Sequence, residues 1–329
     1  MKAMRVNNRQ SSLALVPAAL PQPKPGDSEL LIRVHAAGVT PTELLWYPTT
    51  HTKEGGARTS AVPGHEFSGV VAALGKGANS FKVGDEIYGM NDWFADGATA
   101  EFCLTQPQHV ALKPKGLTHE LAATVPIGAL TAWQGLLDRA KLQTGERVLI
   151  HGAAGAVGLF AVQLAHLHSA YVIATASGRN SEFLKKLGAD RVIDYKTSRF
   201  EDEVEKVDIV FDAVGGETLD RSWNVLKPGG RMVTIAADSE GTADQRVKDA
   251  FFIVEPNQKQ LLEVAKLLDA GTLKAFVNAV VPLDEATVAY SRAVRAERGF
   301  GKVVIAVPHN SRGVGDDGDV FSRGSGDEV

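Results

Sequence analysis

A chain of 329 residues, 44% hydrophobic and 22% charged, has room for two domains and enough apolar material to bury a core in each. Its net charge of -4, with basic residues scattered, offers no field for nucleic acid. The single Cys103 excludes an intrachain disulfide and a Cys-rich zinc lobe, and neither a secretory h-region nor a membrane-length apolar run is present, so a soluble cytoplasmic protein is expected.

In chain order, the first third consists of short apolar runs broken by Gly and Pro. Glu29 to Val39, Phe67 to Leu74, Asp85 to Met90 and Ala100 to Thr105 read as strands, joined by turns such as KPGD and KVGD. This texture predicts a small barrel-like unit. From Thr118 to Ala140 the pattern turns helical, with Thr118 as N-cap. Then strands and helices alternate: strand RVLIHG, helix AVGLFAVQLAHLHS, strand YVIATA, helix SEFLKKLG, strands RVIDY and VDIVFDAVG, helix ETLDRSWNVL and strand RMVTIAA. Such alternation predicts a parallel sheet covered by helices on both faces. An amphipathic helix from Gln258 to Gly271 follows. A closing strand, helix and strand rejoin the first unit. The expected division is 1–120 with 273–308 for the first domain and 121–272 for the second. The Gly-rich, nearly apolar-free segment 309–329 cannot bury enough surface to order itself and is expected to be a disordered tail.

The segment VLIHGAAGAVG carries the strongest chemical signal. A buried strand runs into Gly152, Gly155 and Gly158, and an apolar helix starts at once. Gly155 lets a pyrophosphate approach the backbone, and Gly158 lets the helix pack on the strand. The helix N-terminus then presents N–H groups and a positive dipole end to the phosphates. Ala153 stands where a full G-x-G-x-x-G would have its first Gly; Ala153, Gly155, Ala156 and Val157 are expected around the phosphates. The next strand ends in ATASGRN without an acid. A carboxylate there would select NAD through the ribose 2′-OH, whereas Ser177 and Arg179 suit a 2′-phosphate. NADPH is the expected cofactor. Tyr195 and Lys196 end the following strand on the same sheet edge. They either close over the adenosine or are ordinary surface residues.

The motifs AAGVTPTE, PGHEFSGVV, KVGDEIYG, VPIGALTAW, VLIHGAAGAVGLFAVQLA, FDAVGG, LKPGGRMV and GFGKVVIAV follow one another in the order of the medium-chain dehydrogenase/reductases. The chain resembles the zinc-independent, quinone oxidoreductase-like branch from residue 1 to about 307. The resemblance implies an α/β protein: a GroES-like β-barrel domain, a Rossmann doubly wound parallel-sheet domain, and a cleft between them. It also implies a homodimer, formed where the strands around RMVTIAA and FFIV end the sheet.

In the zinc branch of that family, catalytic ligands come from three places. Here those places hold Thr40, His65 and Ile127, and two of these side chains cannot act as the usual ligands. No metal is expected. His65 is then a hydrogen-bonded interior or cleft residue, and Glu66 has no ligand to orient. Without a metal to polarise a carbonyl, the suitable hydride acceptors are conjugated ones, quinones or α,β-unsaturated carbonyls, which need only positioning and a hydrogen-bond donor. Thr40 sits where the reductase branch has Asn beside the nicotinamide. Tyr47 resembles the acceptor-side tyrosine of enoyl reductases, or is a pocket wall. Trp46, Trp93 and Phe94 either shape an apolar pocket or pack a core. Val214, Gly215, Phe251, Phe252 and Ile253 are expected along the nicotinamide half, with Lys302 leaning in from the C-terminal segment. An enoyl-thioester reductase and a non-catalytic NADPH-binding, crystallin-like protein remain alternatives.

Overall fold

The computed structural model describes residues 1–7, 14–291 and 299–308. The segment 309–329, expected to be disordered, lies outside the described residues, as does the end of the helix expected before GFGKVVIAV.

Seven strands occupy the first part: β1 (Lys2–Asn7), β2 (Ala14–Ala19), β3 (Leu30–Gly38), β4 (Glu66–Leu74), β5 (Glu86–Met90), β6 (Phe102–Thr105) and β7 (Val110–Leu112). Five form the second: β8 (Arg147–His151), β9 (Tyr171–Ala176), β10 (Arg191–Asp194), β11 (Val207–Asp212) and β12 (Leu226–Thr234). The chain closes with β13 (Val277–Pro282) and β14 (Lys302–Ala306). β13 and β14 join β3, β4, β5, β6 and β7 in a seven-stranded sheet, in which β14 runs antiparallel to β3. The C-terminal segment therefore returns to the first domain. Apolar side chains from β3, β4, β5 and β14 fill its interior, with Leu30, Ile32, Val34, Phe67, Ile87 and Ile305 fully buried. β1 and β2 form a separate antiparallel pair; the reading of the sequence did not include them.

The second sheet is parallel, in the order β10-β9-β8-β11-β12. Chain direction across the sheet reverses between β8 and β11, and the carboxyl ends of those strands open the crevice in which such sheets bind ligands. β12 is the last strand of this sheet. FFIV adds only a single bridge, Phe251 to Thr234, because Phe252 and Val254 turn into the core. The helix expected from Thr118 to Ala140 is broken into His119–Ala122, Pro126–Trp133 and a π-helical turn at Gln134–Arg139. Pro126 causes the first break: it lacks an N–H and fits only the first turn of a helix.

Side chains pin the two domains together. Tyr88 Oη donates to the Leu261 carbonyl at 2.5 Å, and Trp93 Nε1 to the Val254 carbonyl at 3.2 Å. Gln258 Nε2 reaches the Pro107 carbonyl at 3.0 Å.

His151, the last residue of β8, is sealed inside the nucleotide-binding domain. Its Nδ1 lies 2.9 Å from Thr175 Oγ1 and its Nε2 3.0 Å from Ser222 Oγ. Burial, helped by the nearby Arg221 cation, pushes the imidazole down to about 3. The unfolded chain binds this proton near pH 6.5, and the folded protein refuses it until about 3. The contribution of His151 to stability is therefore full above pH 6.5 and falls as pH drops through that window, by up to about 1.4 kcal/mol per pH unit. We expect urea midpoints to fall from pH 7 to pH 4, and His151→Gln to flatten this limb. An unchanged acid slope in the variant would contradict the assignment.

Candidate active site and nucleotide cleft

The turn after β8 has the geometry a dinucleotide requires. Gly152 has φ +71, a conformation that L-residues rarely adopt. A Cβ on Gly158 would lie 2.3 Å from the Gly152 carbonyl oxygen, so the helix Gly158–Leu167 can start this close to the strand only with glycine there. Gly155 is exposed at the tip. Ala153 is fully buried beneath it, which removes its side chain from any ligand. Ala156 and Val157 are half-buried at the helix start.

Beside this turn lies a cavity of about 620 Å³, lined among others by Gly155, Ser177, Arg179, Tyr195 and Val214. Five of the expected cofactor residues are thus brought to one wall. Arg199 and Arg221 also line it and were not foreseen. Their charges are engaged: Arg221 donates to both oxygens of Glu201 at 2.8 and 3.1 Å, and Arg199 to one at 3.3 Å. Arg179 forms no ion pair among the described residues and is exposed. Asn180 Nδ2 donates to Ser177 Oγ at 3.2 Å and steadies that hydroxyl. The strand end without an acid has an acidic neighbour on β10: a Cβ on Gly178 would lie 2.5 Å from Asp194 Oδ2. Asp194 is occupied by its own turn, accepting the Lys196 N–H on Oδ1 at 3.0 Å.

At the end of β11, the buried Asp212 shapes the turn that carries Val214 and Gly215. It accepts their N–H groups at 3.1 to 3.2 Å and the Thr234 hydroxyl at 2.8 Å. Burial raises its pKa, against these donors. Gly215, at φ +79, faces Asp238 so closely that any side chain would collide. Phe252 is buried under the Arg139 guanidinium, 4.7 Å from its ring, while Phe251 is half-buried and Ile253 is exposed.

Thr40, Glu66 and Lys302 meet at the base of the barrel-side wall. The Lys302 ammonium contacts Glu66 Oε1 directly and lies 3.4 Å from Thr40 Oγ1. The other Glu66 oxygen accepts the Ile127 N–H at 3.0 Å. Glu66, expected to have no metal ligand to orient, instead anchors this corner. Lys302 is almost wholly buried. Burial pushes its ammonium down to about 7, against the pull of the Glu43 carboxylate, while contact with Glu66 favours the charged form. Next to this corner, the buried His65 binds Glu43 through Nδ1, and Glu43 also accepts the Gly64 N–H at 2.6 Å. Trp93 packs against His65 and Trp46, with ring centroids 5.3 Å apart in both pairs. Tyr47 is half exposed and stacks on His51 at 4.4 Å.

The three places that hold zinc in the zinc branch present one imidazole, one hydroxyl and the apolar side chain of Ile127. The imidazole is already bound to Glu43, and a lysine ammonium stands beside the hydroxyl. Cys103 does not complete a set: it lies on β6 opposite Ile32 and is packed in the barrel core. Among the described residues no three His, Cys, Asp or Glu side chains are grouped to hold a metal. This donor set does not fit a zinc ion with three protein ligands.

The fold and the cleft agree with the comparisons to known proteins. The model of the alcohol dehydrogenase GroES-like domain matches residues 26–133, and that of zinc-binding dehydrogenases matches residues 187–305. A mitochondrial "probable zinc-binding oxidoreductase" of Arthroderma benhamiae is 35% identical over 317 residues, covering 90% of this chain and 94% of that one. The human mitochondrial "NAD(P)H oxidoreductase RTN4IP1" is 33% identical, with 85% of this chain and 82% of that protein covered. The structure of the quinone oxidoreductase from Coxiella burnetii superposes with a TM-score of 0.82 at 30% identity, covering 94% of this chain and 99% of that one. The chain belongs to the medium-chain dehydrogenase/reductase superfamily, in its quinone oxidoreductase-like branch. It is an NAD(P)H oxidoreductase.

The same relatives overturn the cytoplasmic expectation, because both are mitochondrial. Lack of an apolar h-region argues only against secretion. Mitochondrial leaders are Arg- and Ser-rich, and that test does not address them.

Proposed function

We propose that this chain reduces quinones or α,β-unsaturated carbonyls by hydride transfer from NADPH, without a catalytic zinc. The observation that carries this reading is the corner formed by Thr40, Glu66 and Lys302. It offers a hydroxyl and a cation where a metal would need ligands. Oxidation of a simple alcohol would lack a metal there to hold the alkoxide. A conjugated acceptor spreads the incoming charge onto oxygen and needs only a donor and a fixed pose. Aromatic side chains on the barrel wall, Trp46 and Trp93, suit a flat acceptor. Val214, Gly215 and Ile253 would face the nicotinamide, and Gly155, Ala156 and Val157 the pyrophosphate. Tyr47, exposed at the rim, would act as a wall of the mouth. NADPH oxidation should proceed with a panel of quinones and enones and should survive a metal chelator. No turnover with any acceptor, or loss of turnover on chelation, would refute this reading.

NADPH is the cofactor in this reading because the exposed Arg179, beside Ser177, stands at the end of β9 with no ion pair among the described residues. A guanidinium binds a phosphate by charge-assisted, often bidentate hydrogen bonds. Arg179→Ala should weaken NADPH by roughly ten- to a hundredfold and leave NADH nearly unchanged. Equal loss for both cofactors would make Arg179 a structural residue.

A homodimer follows from the uncovered edge of β12, which two-fold pairing would close. Light scattering should give twice the 35.0 kDa chain mass. A single-chain mass at micromolar concentration would refute the dimer.

A further inference from the structure

In its ammonium form, which contact with Glu66 favours, Lys302 meets Thr40 in only one chemical sense. An ammonium carries three protons and no acceptor, whereas a hydroxyl carries one proton and two lone pairs. Lys302 must donate, and Thr40 Oγ1, 3.4 Å away, must accept. The hydroxyl proton of Thr40 is then directed to another acceptor. Thr40 stands at the N-cap of the turn Pro41–Leu45, yet no N–H of that turn binds its oxygen, and among the described residues its hydroxyl meets only Lys302. Thr40 is only half-buried, so one face remains open.

Lys302 cannot easily serve a phosphate. Its side chain is 5% exposed and is held by Glu66, and Glu66 in turn is fixed by the Ile127 N–H. A lysine that clamps a pyrophosphate needs a free, solvent-facing head. This one is buried, beside the half-buried Thr40.

We propose that Lys302 is a positioning residue that polarises Thr40, and that Thr40 donates the hydrogen bond to the carbonyl oxygen of the acceptor. This rests on the quinone and enone reading above and moves Lys302 from the cofactor to the acceptor side. The hydride of NADPH adds to the conjugated acceptor, and NADPH becomes NADP⁺. The π-electron pair moves onto the carbonyl oxygen, where the Thr40 O–H stabilises the developing anion. A proton from water completes the two-electron reduction. The Lys302 charge, one hydroxyl away from that oxygen, supplies the electrostatic pull that a metal would otherwise give.

Steady-state kinetics with a quinone and an enone, beside NADPH binding by fluorescence titration, tests this. Thr40→Val should lower kcat about a hundredfold, with the NADPH Kd held within about twofold. Thr40→Ser should retain most activity. Lys302→Met should lower kcat by about tenfold or more, again without a change in NADPH Kd, and Lys302→Arg should restore it. The loss in Thr40→Val should grow as the acceptor becomes less electron-poor, a trend that a merely structural defect would not produce. A wild-type kcat in Thr40→Val, or a Lys302→Met variant that loses NADPH affinity but keeps kcat, overturns the proposal. Should Lys302→Met fail to fold with Glu66 left unpaired, Thr40→Val and Thr40→Ser decide alone, since neither removes a member of that pair. A wild type inactive with every acceptor refutes the function itself, and this inference with it.

Discussion

An ammonium held against a carboxylate in a dry interior, Lys302 on Glu66, is the contact on which the cleft is built. It ties β14, the last strand, to β4, across 236 residues of sequence. Through the Ile127 N–H the same carboxylate reaches the helix that opens the nucleotide-binding side. Removing one partner of such a pair leaves a buried charge, at a cost of roughly 3–5 kcal/mol. The pair is therefore a strong constraint on how the C-terminal segment docks, and it sets where Thr40 stands.

Around this pair the protein keeps the outline of a metal site but gives it different contents. His65 and Glu43 bind one another, which gives the buried imidazole a partner within the protein. Trp93 packs on that imidazole and donates to the Val254 carbonyl in the other domain. The wall of the cleft is thus stiffened from both domains by hydrogen bonds and packed rings. A rigid wall suits a reaction that depends on pose and on one well-aimed donor.

Much of the nucleotide half was legible in the sequence, because its parts are local. Gly152 to Gly158 form one turn, and Ser177 and Arg179 end one strand, so neighbours in the chain are neighbours in space. What was missed came from other strands. Arg199 and Arg221 approach the same cavity from segments after β10, and Asp194, at the end of β10, comes up against Gly178. Their distance in sequence hides them, and pairing with Glu201 decides how much of their charge is free. Lys302 was noticed but given to the cofactor, since only the folded chain shows Glu66 holding it.

The sequence by itself determined the two-domain α/β architecture, the phosphate turn and the absence of two of the three usual zinc-ligand side chains. These depend on residue type and on spacing within one or two elements: glycine where the backbone must turn or press close, apolar alternation where a strand is buried, no donor atom on Ile127. Only the tertiary structure decided which charges are spent and which are free. A buried charge is settled by the partner brought to it from elsewhere in the fold, and burial makes that partner obligatory. Arg221 is taken up by Glu201, His65 by Glu43 and Lys302 by Glu66, while Arg179 lines the cavity with no ion pair among the described residues.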